Sequence, residues 1–307
     1  MTRGHRIVAM PLIRANYQRG ESSRTDLSYS VYGRATWQWW CKRHSIEFRV
    51  LEEPAQSCAD DPPTVQRWAH AARLLTEGGP GTEIAFVDAD TMIRWDTPNL
   101  FEACDTKIGL GVVMDNTLPY WNHRSIVAHR FLFPDVELPW WQYFNAGLVV
   151  LGTQHIDFLR AFLAFYGENR AELQKLHASR DVGTDQTPLN YLVRKLGVEL
   201  QILPAPFNLL RCLEVPASVF PSLSKVTTLE DLASQLDLVA PHAFAFIDFG
   251  QVWHFARVPV AAWGMPVRAC IMYDALRRCG SEYHGLEMPR PPALTLQPRA
   301  AAAVGSN

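Results

Sequence analysis

The N-terminal part of the chain alternates between short apolar runs and longer amphipathic segments. Residues 6–13 (RIVAMPLI) and 84–87 (IAFV) are largely apolar runs of strand length, residues 46–51 (IEFRVL) also have strand character, and helical patterns over residues 26–44 and 64–76 separate them. Central parallel strands are buried on both faces and are therefore apolar throughout, while the intervening helices cover the sheet. We therefore predict an α/β fold with a mostly parallel central sheet flanked by helices, in a Rossmann-like arrangement.

The later part of the chain continues this alternation. Further strands are predicted at residues 108–114, 144–151 and 198–203, and further helices over residues 158–166 and 184–196.

Two stretches lie outside the pattern. Residues 115–141 are aromatic and rich in histidine, and they lack a clear period, so we predict a long connection that acts as a lid or a binding platform. Residues 287–307 are rich in proline and alanine without a pattern that could bury a core, which predicts a disordered tail. A single domain is predicted over residues 1–286.

The composition excludes several classes of protein. The 29 basic and 31 acidic residues give a net charge of −2, which argues against a broad nucleic-acid-binding surface. The six cysteines form no CxxC pair, which favours reduced thiols in a cytoplasmic protein over a zinc site or disulfides. No apolar run is long enough to span a membrane, and the first residues lack the features of a signal peptide. Peripheral attachment to a membrane stays open.

Asp88 and Asp90 directly follow the apolar run at residues 84–87. In extended backbone, residues two apart point to the same side, so both carboxylates are expected just past the carboxyl end of a strand, where α/β sheets bind ligands. Two close carboxylates repel each other unless a cation neutralises them, and divalent cations prefer oxygen ligands. The pair predicts a metal site that can bridge a diphosphate. The alternative is that Asp88 caps a turn and Asp90 is solvated.

Five segments occur in the order of the motifs of one enzyme family. They are IAFVDADTMI around the acid pair, YFNAG at 143–147, GTDQTPLN at 183–190, LPAPFN at 203–208 and VWHF at 252–255. These segments resemble the DxD, FNAG, DQDxLN, LPxxWN and late HF motifs of glycosyltransferase family 8, which has the GT-A fold. The resemblance implies a hexosyltransferase that moves a sugar from a nucleotide diphosphate sugar, by family habit a UDP-sugar, to an acceptor hydroxyl with retention.

The resemblance also implies a division of the domain and a set of metal ligands. The nucleotide-sugar half would cover about residues 1–115 and the acceptor half residues 116–286. Asp88, Asp90 and His254 would bind the metal, and imidazole beside two carboxylates suits Mn²⁺, with Mg²⁺ as the alternative.

Further roles follow from the same resemblance, and they concern the donor. Asp88 and Ala89 would contact the donor, and Arg73, in the helix before the acid pair, would contact its diphosphate or sugar.

The remaining expected residues surround the transferred sugar. Ala146 and Gly147 would shape the sugar pocket, where glycine allows a close approach of the backbone. Asn145, Asp185 and Gln186 would be catalytic, beside the sugar hydroxyls and the reacting carbon. Asp185 also stands where a carboxylate would cap the start of a helix.

The chain departs from the family pattern at three points. Thr187 replaces the second aspartate of the DQD motif, the N-terminal strand lacks the family's base-binding aspartate, and the late motif HFARVPVAAW lacks the lysine expected near the donor phosphate. Arg257, three residues past His254, is the candidate replacement. Asp115 could act as the base of an inverting enzyme.

Other functions compete with this hypothesis. A phosphatase of the haloacid dehalogenase type is disfavoured, because Met92 stands where that family has threonine or valine. A nucleotidyltransferase of related fold and a catalytically silent sugar-nucleotide-binding or scaffold protein stay open. The sequence does not identify the acceptor, which could be a glycan, a lipid-linked saccharide, a protein or a modified base.

Overall fold

The computed structural model describes residues 4–13, 27–115, 119–179, 182, 184–210, 244–256 and 265–292. Within these residues the strands are β1 (Arg6–Pro11), β2 (Glu47–Leu51), β3 (Glu83–Val87), β4 (Thr91–Ile93), β5 (Leu110–Met114), β6 (Phe144–Gly152), β7 (Leu200–Ile202) and β8 (Val252–His254). The helices are α1 (Ser30–His44), α2 (Pro63–Gly78), α3 (Leu100–Ala103), α4 (Pro119–His129), α5 (Ile156–Glu168), α6 (Arg170–Ser179), α7 (Gln186–Lys195), α8 (Phe246–Phe249) and α9 (Met265–Cys279).

Six of these strands form one sheet in the order β2-β1-β3-β6-β5-β7. β1 is parallel to β2 and β3, and β5 is parallel to β7, whereas β6 is antiparallel to both β3 and β5. Five of the six strands therefore run in one direction, which confirms the predicted mostly parallel sheet. A second sheet pairs β4 with β8 in antiparallel register.

Helices cover both faces of the large sheet, as predicted. On β1, Ile7 and Ala9 belong to a core cluster that includes side chains of α2, α5 and α7. Val8 and Met10, which alternate with them, belong to a second cluster that includes side chains of α1 and α9. Because successive side chains of a strand point to opposite faces, this division explains why residues 7–10 of β1 are all apolar.

The position of α2 places its first turns near the carboxyl edge of the sheet. Pro62 and Pro63 set the start of the helix, and Gly79, with a φ of 74°, follows its last residue. α2 connects the parallel strands β2 and β3 across β1, so the helix runs back against the direction of both strands. Residues in its first turns thus lie on the side of the sheet where β3 ends.

Residues 115–141, predicted as a long connection without a clear period, contain the helix α4. The buried side chains of α4 are Asn122, Ser125, Ile126, Ala128 and His129. Most of them are small or polar, so the buried face of the helix has no apolar period to detect. Trp140 and Trp141, farther along the same stretch, are 41% and 62% exposed.

The predicted tail contacts the domain at Arg290. The hydroxyl of Tyr32 donates to the carbonyl of Arg290 at 2.9 Å. Residues 293–307 of the predicted tail lie outside the described residues. Across the described ranges, no helix has both the length and the apolar character needed to cross a membrane.

Candidate functional site

Asp88 and Asp90 lie in the turn that follows β3. The backbone N–H of Asp88 donates to the carbonyl of Gly147 at 2.8 Å, which continues the pairing of β3 with β6. The N–H of Thr91 donates back to the carbonyl of Asp88 at 3.1 Å and begins β4. The turn is therefore anchored at both ends.

His254 reaches the acid pair because β8 pairs with β4. Thr91 lies opposite His254 in this small sheet, and the N–H of Phe255 donates to the carbonyl of Asp90 at 2.9 Å. The buried His254 ring places Nε2 at 3.3 Å from Asp90 Oδ1 and 3.6 Å from Asp88 Oδ2. The structure thus brings together the three side chains predicted to bind metal, which we call the acid–imidazole cluster.

The acid–imidazole cluster fits a divalent cation. Its potential ligand atoms lie within 4.8 Å of one another. Neighbouring ligands of an octahedral ion with bonds of about 2.1 Å are about 3 Å apart, close to the 3.3 and 3.6 Å separations found here. Carboxylate oxygens suit both Mg²⁺ and Mn²⁺, and an imidazole nitrogen suits the transition metal better.

Asn145 and Gln186 form a pair of side-chain amides beside this cluster. The N–H of Gly147 donates to Asn145 Oδ1 at 2.8 Å, and the N–H of Ala146 donates to Gln186 Oε1 at 3.1 Å. Because these backbone donors require oxygen atoms, they fix the orientation of both amides. Asn145 Nδ2 then donates to Gln186 Oε1 at 3.0 Å. Gln186 Nε2 donates to Asp115 Oδ2 at 3.0 Å.

Asn208 connects this amide pair to His254. Asn208 Nδ2 donates to Asn145 Oδ1 at 2.9 Å, so Asn208 Oδ1 faces His254 Nδ1 at 3.0 Å. An oxygen acceptor at that position requires a proton on Nδ1, which leaves the Nε2 side of the ring for the carboxylates and a metal. Outer hydrogen bonds commonly orient ligand histidines in this way. We call Asn208, Asn145 and Gln186 the amide chain.

We expect Asn208→Ala to weaken Mn²⁺ binding about 10- to 100-fold, since the imidazole loses the acceptor that sets its tautomer. Titration of Mn²⁺ followed by electron paramagnetic resonance measures the change. Asn99→Ala, which removes an amide at the start of α3, is the matched control and should leave Mn²⁺ affinity unchanged. Wild-type affinity in a folded Asn208→Ala protein would contradict the tautomer assignment.

The charges around His254 predict how metal binding depends on pH. Burial lowers the pKa of His254, but Asp90 and Asp88 raise it by more, so the net shift is upward. The ring therefore keeps its proton to a higher pH than an ordinary histidine, and a metal must displace that proton. We expect Mn²⁺ affinity to rise with pH until the pH exceeds this raised pKa.

Calorimetry of Mn²⁺ binding in buffers of different ionisation enthalpy tests this pH dependence. Below the raised pKa, binding should release about one proton per ion. An affinity that stays constant between about pH 5 and 8, the range in which histidine ordinarily titrates, would contradict the prediction.

Arg67 of α2 is a site residue that the sequence analysis missed. Its Nη1 donates to Asp88 Oδ1 at 2.5 Å, while Nε and Nη2 donate to Asp185 Oδ2 at 3.1 and 2.6 Å. Burial lowers the pKa of Arg67, but Asp185 and Asp88 raise it by more, and the side chain is only 5% exposed. The signal that could have identified Arg67 is its position just after Pro63, in the first turns of a helix that begins at the carboxyl edge of the sheet.

Arg73, which the resemblance placed at the donor diphosphate, lies farther along α2. Six residues of helical rise separate it from Arg67 by about 9 Å along the axis, toward the opposite edge of the sheet. Its side chain is 54% exposed, with Nη1 at 3.5 Å from Glu77 and Nη2 at 3.2 Å from His70 Nδ1. The structure thus brings Arg67, and not Arg73, to the acid pair.

Asp185, expected beside the reacting carbon, is buried and pairs with Arg67. Its Oδ2 also accepts from Trp68 Nε1 at 2.8 Å, and its Oδ1 accepts from Thr184 Oγ1 at 3.3 Å. Asp185 stands at the start of α7 but makes no capping hydrogen bond. In this structure its carboxylate therefore orients Arg67.

The other predicted donor contacts border the cluster or lie outside the described residues. Ala89 and Ala146 are buried. A Cβ atom on Gly147 would lie 2.3 Å from His254 Cε1, so the approach of the imidazole requires glycine there. Arg257 lies outside the described residues.

The mostly parallel sheet, flanked by helices and with this turn at the end of β3, defines a GT-A-like fold. Among solved structures, the chain is similar to a glycosyltransferase involved in the glycosylation of the major capsid of PBCV-1, with a TM-score of 0.50 and 9% identity over 87% of this chain and 98% of that chain. Mouse xyloside xylosyltransferase 1 gives a TM-score of 0.40 and 10% identity over 83% of this chain and 98% of that one.

A third similar structure is the galactosyltransferase LgtC in complex with donor and acceptor sugar analogs. Its TM-score is 0.35, with 13% identity over 89% of this chain and 95% of that one. No family model matches the sequence, and no curated protein matches it. The similarity to the glycosyltransferase involved in glycosylation of the PBCV-1 capsid thus supports the assignment of the fold and no more.

Proposed function

We propose that this chain is a metal-dependent glycosyltransferase that moves a hexose from a nucleotide diphosphate sugar, specifically a UDP-sugar, to an acceptor hydroxyl with retention. The observation that carries the proposal is the convergence of Asp88, Asp90 and His254 at the carboxyl edge of a GT-A-like sheet. The ordered motifs of glycosyltransferase family 8 support the same reaction.

The acid–imidazole cluster would hold the metal and the diphosphate of the donor. A bound divalent cation supplies positive charge that stabilises the departing diphosphate. Asp88, Asp90 and His254 would be its protein ligands, with the proton on His254 Nδ1 keeping Nε2 directed at the ion. Arg67 holds Asp88 in place and balances its charge.

Asn145 and Gln186 of the amide chain would contact the transferred sugar. Asn145 and Gln186 are polar side chains of fixed orientation, which suits recognition of sugar hydroxyls. Asp115 Oδ2 accepts from Gln186 Nε2 at 3.0 Å and from Asn145 Nδ2 at 3.4 Å. These bonds tie Asp115 to the sugar-binding amides, which supports a role in holding the donor over a role as base for the acceptor of an inverting enzyme.

A donor screen by mass spectrometry tests the proposal. The protein is incubated with UDP-, GDP- and ADP-hexoses, with and without Mn²⁺, and we expect metal-dependent release of UDP and free hexose. In a parallel incubation with a nucleoside triphosphate and a sugar phosphate, formation of pyrophosphate would instead identify a nucleotidyltransferase. Binding of UDP that is independent of metal, with no turnover of any donor, would overturn the proposal and favour a silent binding protein.

A further inference from the structure

Arg268 of α9 lies against the metal ligand Asp90, although it belongs to no segment that the sequence analysis selected. Its Nη1 lies 2.9 Å from Asp90 Oδ2, and its side chain is only 12% exposed. The guanidinium group lies over the ring of Tyr29, 5.0 Å from the ring centroid. Arg268 Nε is buried and has no hydrogen-bond partner within the described part of the chain. A buried guanidinium group with an unpartnered N–H can gain a hydrogen bond from an anionic ligand or a water molecule.

The two oxygens of Asp90 face different partners. Oδ1 faces His254 Nε2, where the ligand atoms of the acid–imidazole cluster converge, and Oδ2 faces Arg268. Arg268 therefore lies next to the proposed metal position and does not occupy it, because Oδ1 of Asp90 stays directed at the acid–imidazole cluster. A phosphate group bound to the metal would meet this guanidinium at the edge of the cluster.

Arg67, the other buried arginine at the site, is already committed to carboxylates. Its Nε, Nη1 and Nη2 all donate to Asp185 or Asp88. Among the residues that the structure describes, Arg268 pairs with one carboxylate, that of Asp90. All three nitrogens of Arg67 are thus engaged by carboxylates, whereas Arg268 contacts Asp90 through Nη1, so Arg268 has more N–H donors left for an anion.

The charge of the site also favours an anionic ligand at Arg268. The three carboxylates of Asp88, Asp90 and Asp185 and the two arginines leave one net negative charge when His254 is neutral. A divalent cation makes the site net positive by one charge, which suits the diphosphate of a nucleotide sugar. Without Arg268 the metal-loaded site would be neutral and would attract that anion less.

We propose that Arg268 binds the diphosphate of the donor while it stays beside Asp90. This inference rests on the proposed function, since it assumes a diphosphate ligand at the metal. The planar guanidinium group can donate two hydrogen bonds to phosphate oxygens, and it supplies positive charge where the leaving group becomes more negative. Arg268 thereby takes the role for which the sequence analysis suggested Arg257.

Calorimetry of nucleotide binding at saturating Mn²⁺ tests the assignment with UDP, UMP and inorganic pyrophosphate. We expect Arg268→Ala to weaken the binding of UDP and of pyrophosphate about 10- to 100-fold, which is the effect of losing a charge-assisted hydrogen bond. The binding of UMP should weaken less. Arg268→Lys should recover part of the loss. Arg277→Ala on the same helix, where the side chain is 50% exposed and pairs with Asp274, is the matched control and should bind as wild type.

Mn²⁺ binding without nucleotide separates this role from a structural one. Removing a positive charge next to Asp90 should leave the affinity for Mn²⁺ unchanged or increase it. If Arg268 only supported the structure of the site, its loss would lower the affinities for Mn²⁺ and UDP together. Equal loss of affinity for Mn²⁺ and for UDP would overturn the assignment. A loss of pyrophosphate affinity in Arg257→Ala that is absent in Arg268→Ala would also overturn it. If Arg268→Ala does not fold, wild-type UDP affinity in Arg268→Gln would overturn it.

Failure of the proposed function gives a different result. Wild-type protein that binds neither UDP nor pyrophosphate in the presence of Mn²⁺ would refute the diphosphate site itself. Wild-type protein that binds both, with Arg268→Ala unchanged, would refute only the role of Arg268.

Discussion

We expect Asp90→Ala to abolish Mn²⁺-dependent binding of UDP and to reduce release of hexose from the donor at least about 100-fold. A metal ion contributes several kcal/mol to stabilising a developing charge, and each 1.4 kcal/mol is a factor of ten in rate. The substitution removes one of the three side chains that converge on the metal position, and it leaves Arg268 and His254 without their shared carboxylate. Calorimetry and mass spectrometry of the products measure the two effects.

Two further variants sharpen this experiment. Asp90→Asn keeps the shape of the side chain and removes its charge, so we expect nearly the same loss if charge is the cause. Asp157→Ala removes a carboxylate that is 93% exposed on α5 and should behave as wild type. Turnover in Asp90→Ala equal to that of wild type would refute the metal assignment.

Arg67→Ala should lower the free energy of unfolding by about 3–5 kcal/mol, the usual effect of removing one partner from a buried ion pair. Asp185 would lose its cationic partner while its side chain stays 5% exposed, and Asp88 would lose the group that orients it. Urea denaturation measures the stability, and Mn²⁺ titration of the folded protein measures the effect on the metal site. Arg67→Lys should not restore wild-type behaviour, because one ammonium group cannot replace the guanidinium that bridges both carboxylates.

Arg73→Ala is the matched control on the same helix. Its side chain is 54% exposed, and its ion pair with Glu77 lies on the surface. We therefore expect a change in stability within about 0.5 kcal/mol, as for other surface substitutions. Equal effects of the two substitutions would show that Arg67 is not the arginine on which the acid pair depends.

Local patterns in the sequence were sufficient for the fold and for the residues that lie next to a strand end. The run at 84–87 predicted β3 and the strand end that Asp88 and Asp90 follow, but the two residues lie in a turn and not in the extended backbone that the prediction assumed. The alternation of strands and helices predicted the mostly parallel sheet. Each strand or helix in these predictions is recognised from its own consecutive residues, so the predictions need no knowledge of long-range packing.

Features that depend on long-range packing were missed. The sequence does not show that Arg67 and Asp185 meet, since α2 and the start of α7 are brought together only by the folded sheet. The helix α4 escaped detection because its buried face is polar and small. Arg268 escaped because its contact with Asp90 depends on how α9 packs beside the turn after β3.

The amide chain has a consequence for any attempt to change the sugar of the proposed donor. Position 186 has to offer an oxygen to the N–H of Ala146 and a nitrogen to Asp115, and a glutamine does both. A glutamate there would set two anionic oxygens about 3 Å apart, where they repel each other. The amide chain runs from Gln186 through Asn145 and Asn208 to the imidazole of His254. A substitution at position 186 would therefore also disturb the orientation of His254 in the acid–imidazole cluster. If the proposed function holds, selectivity for the sugar and affinity for the metal would therefore change together at that position.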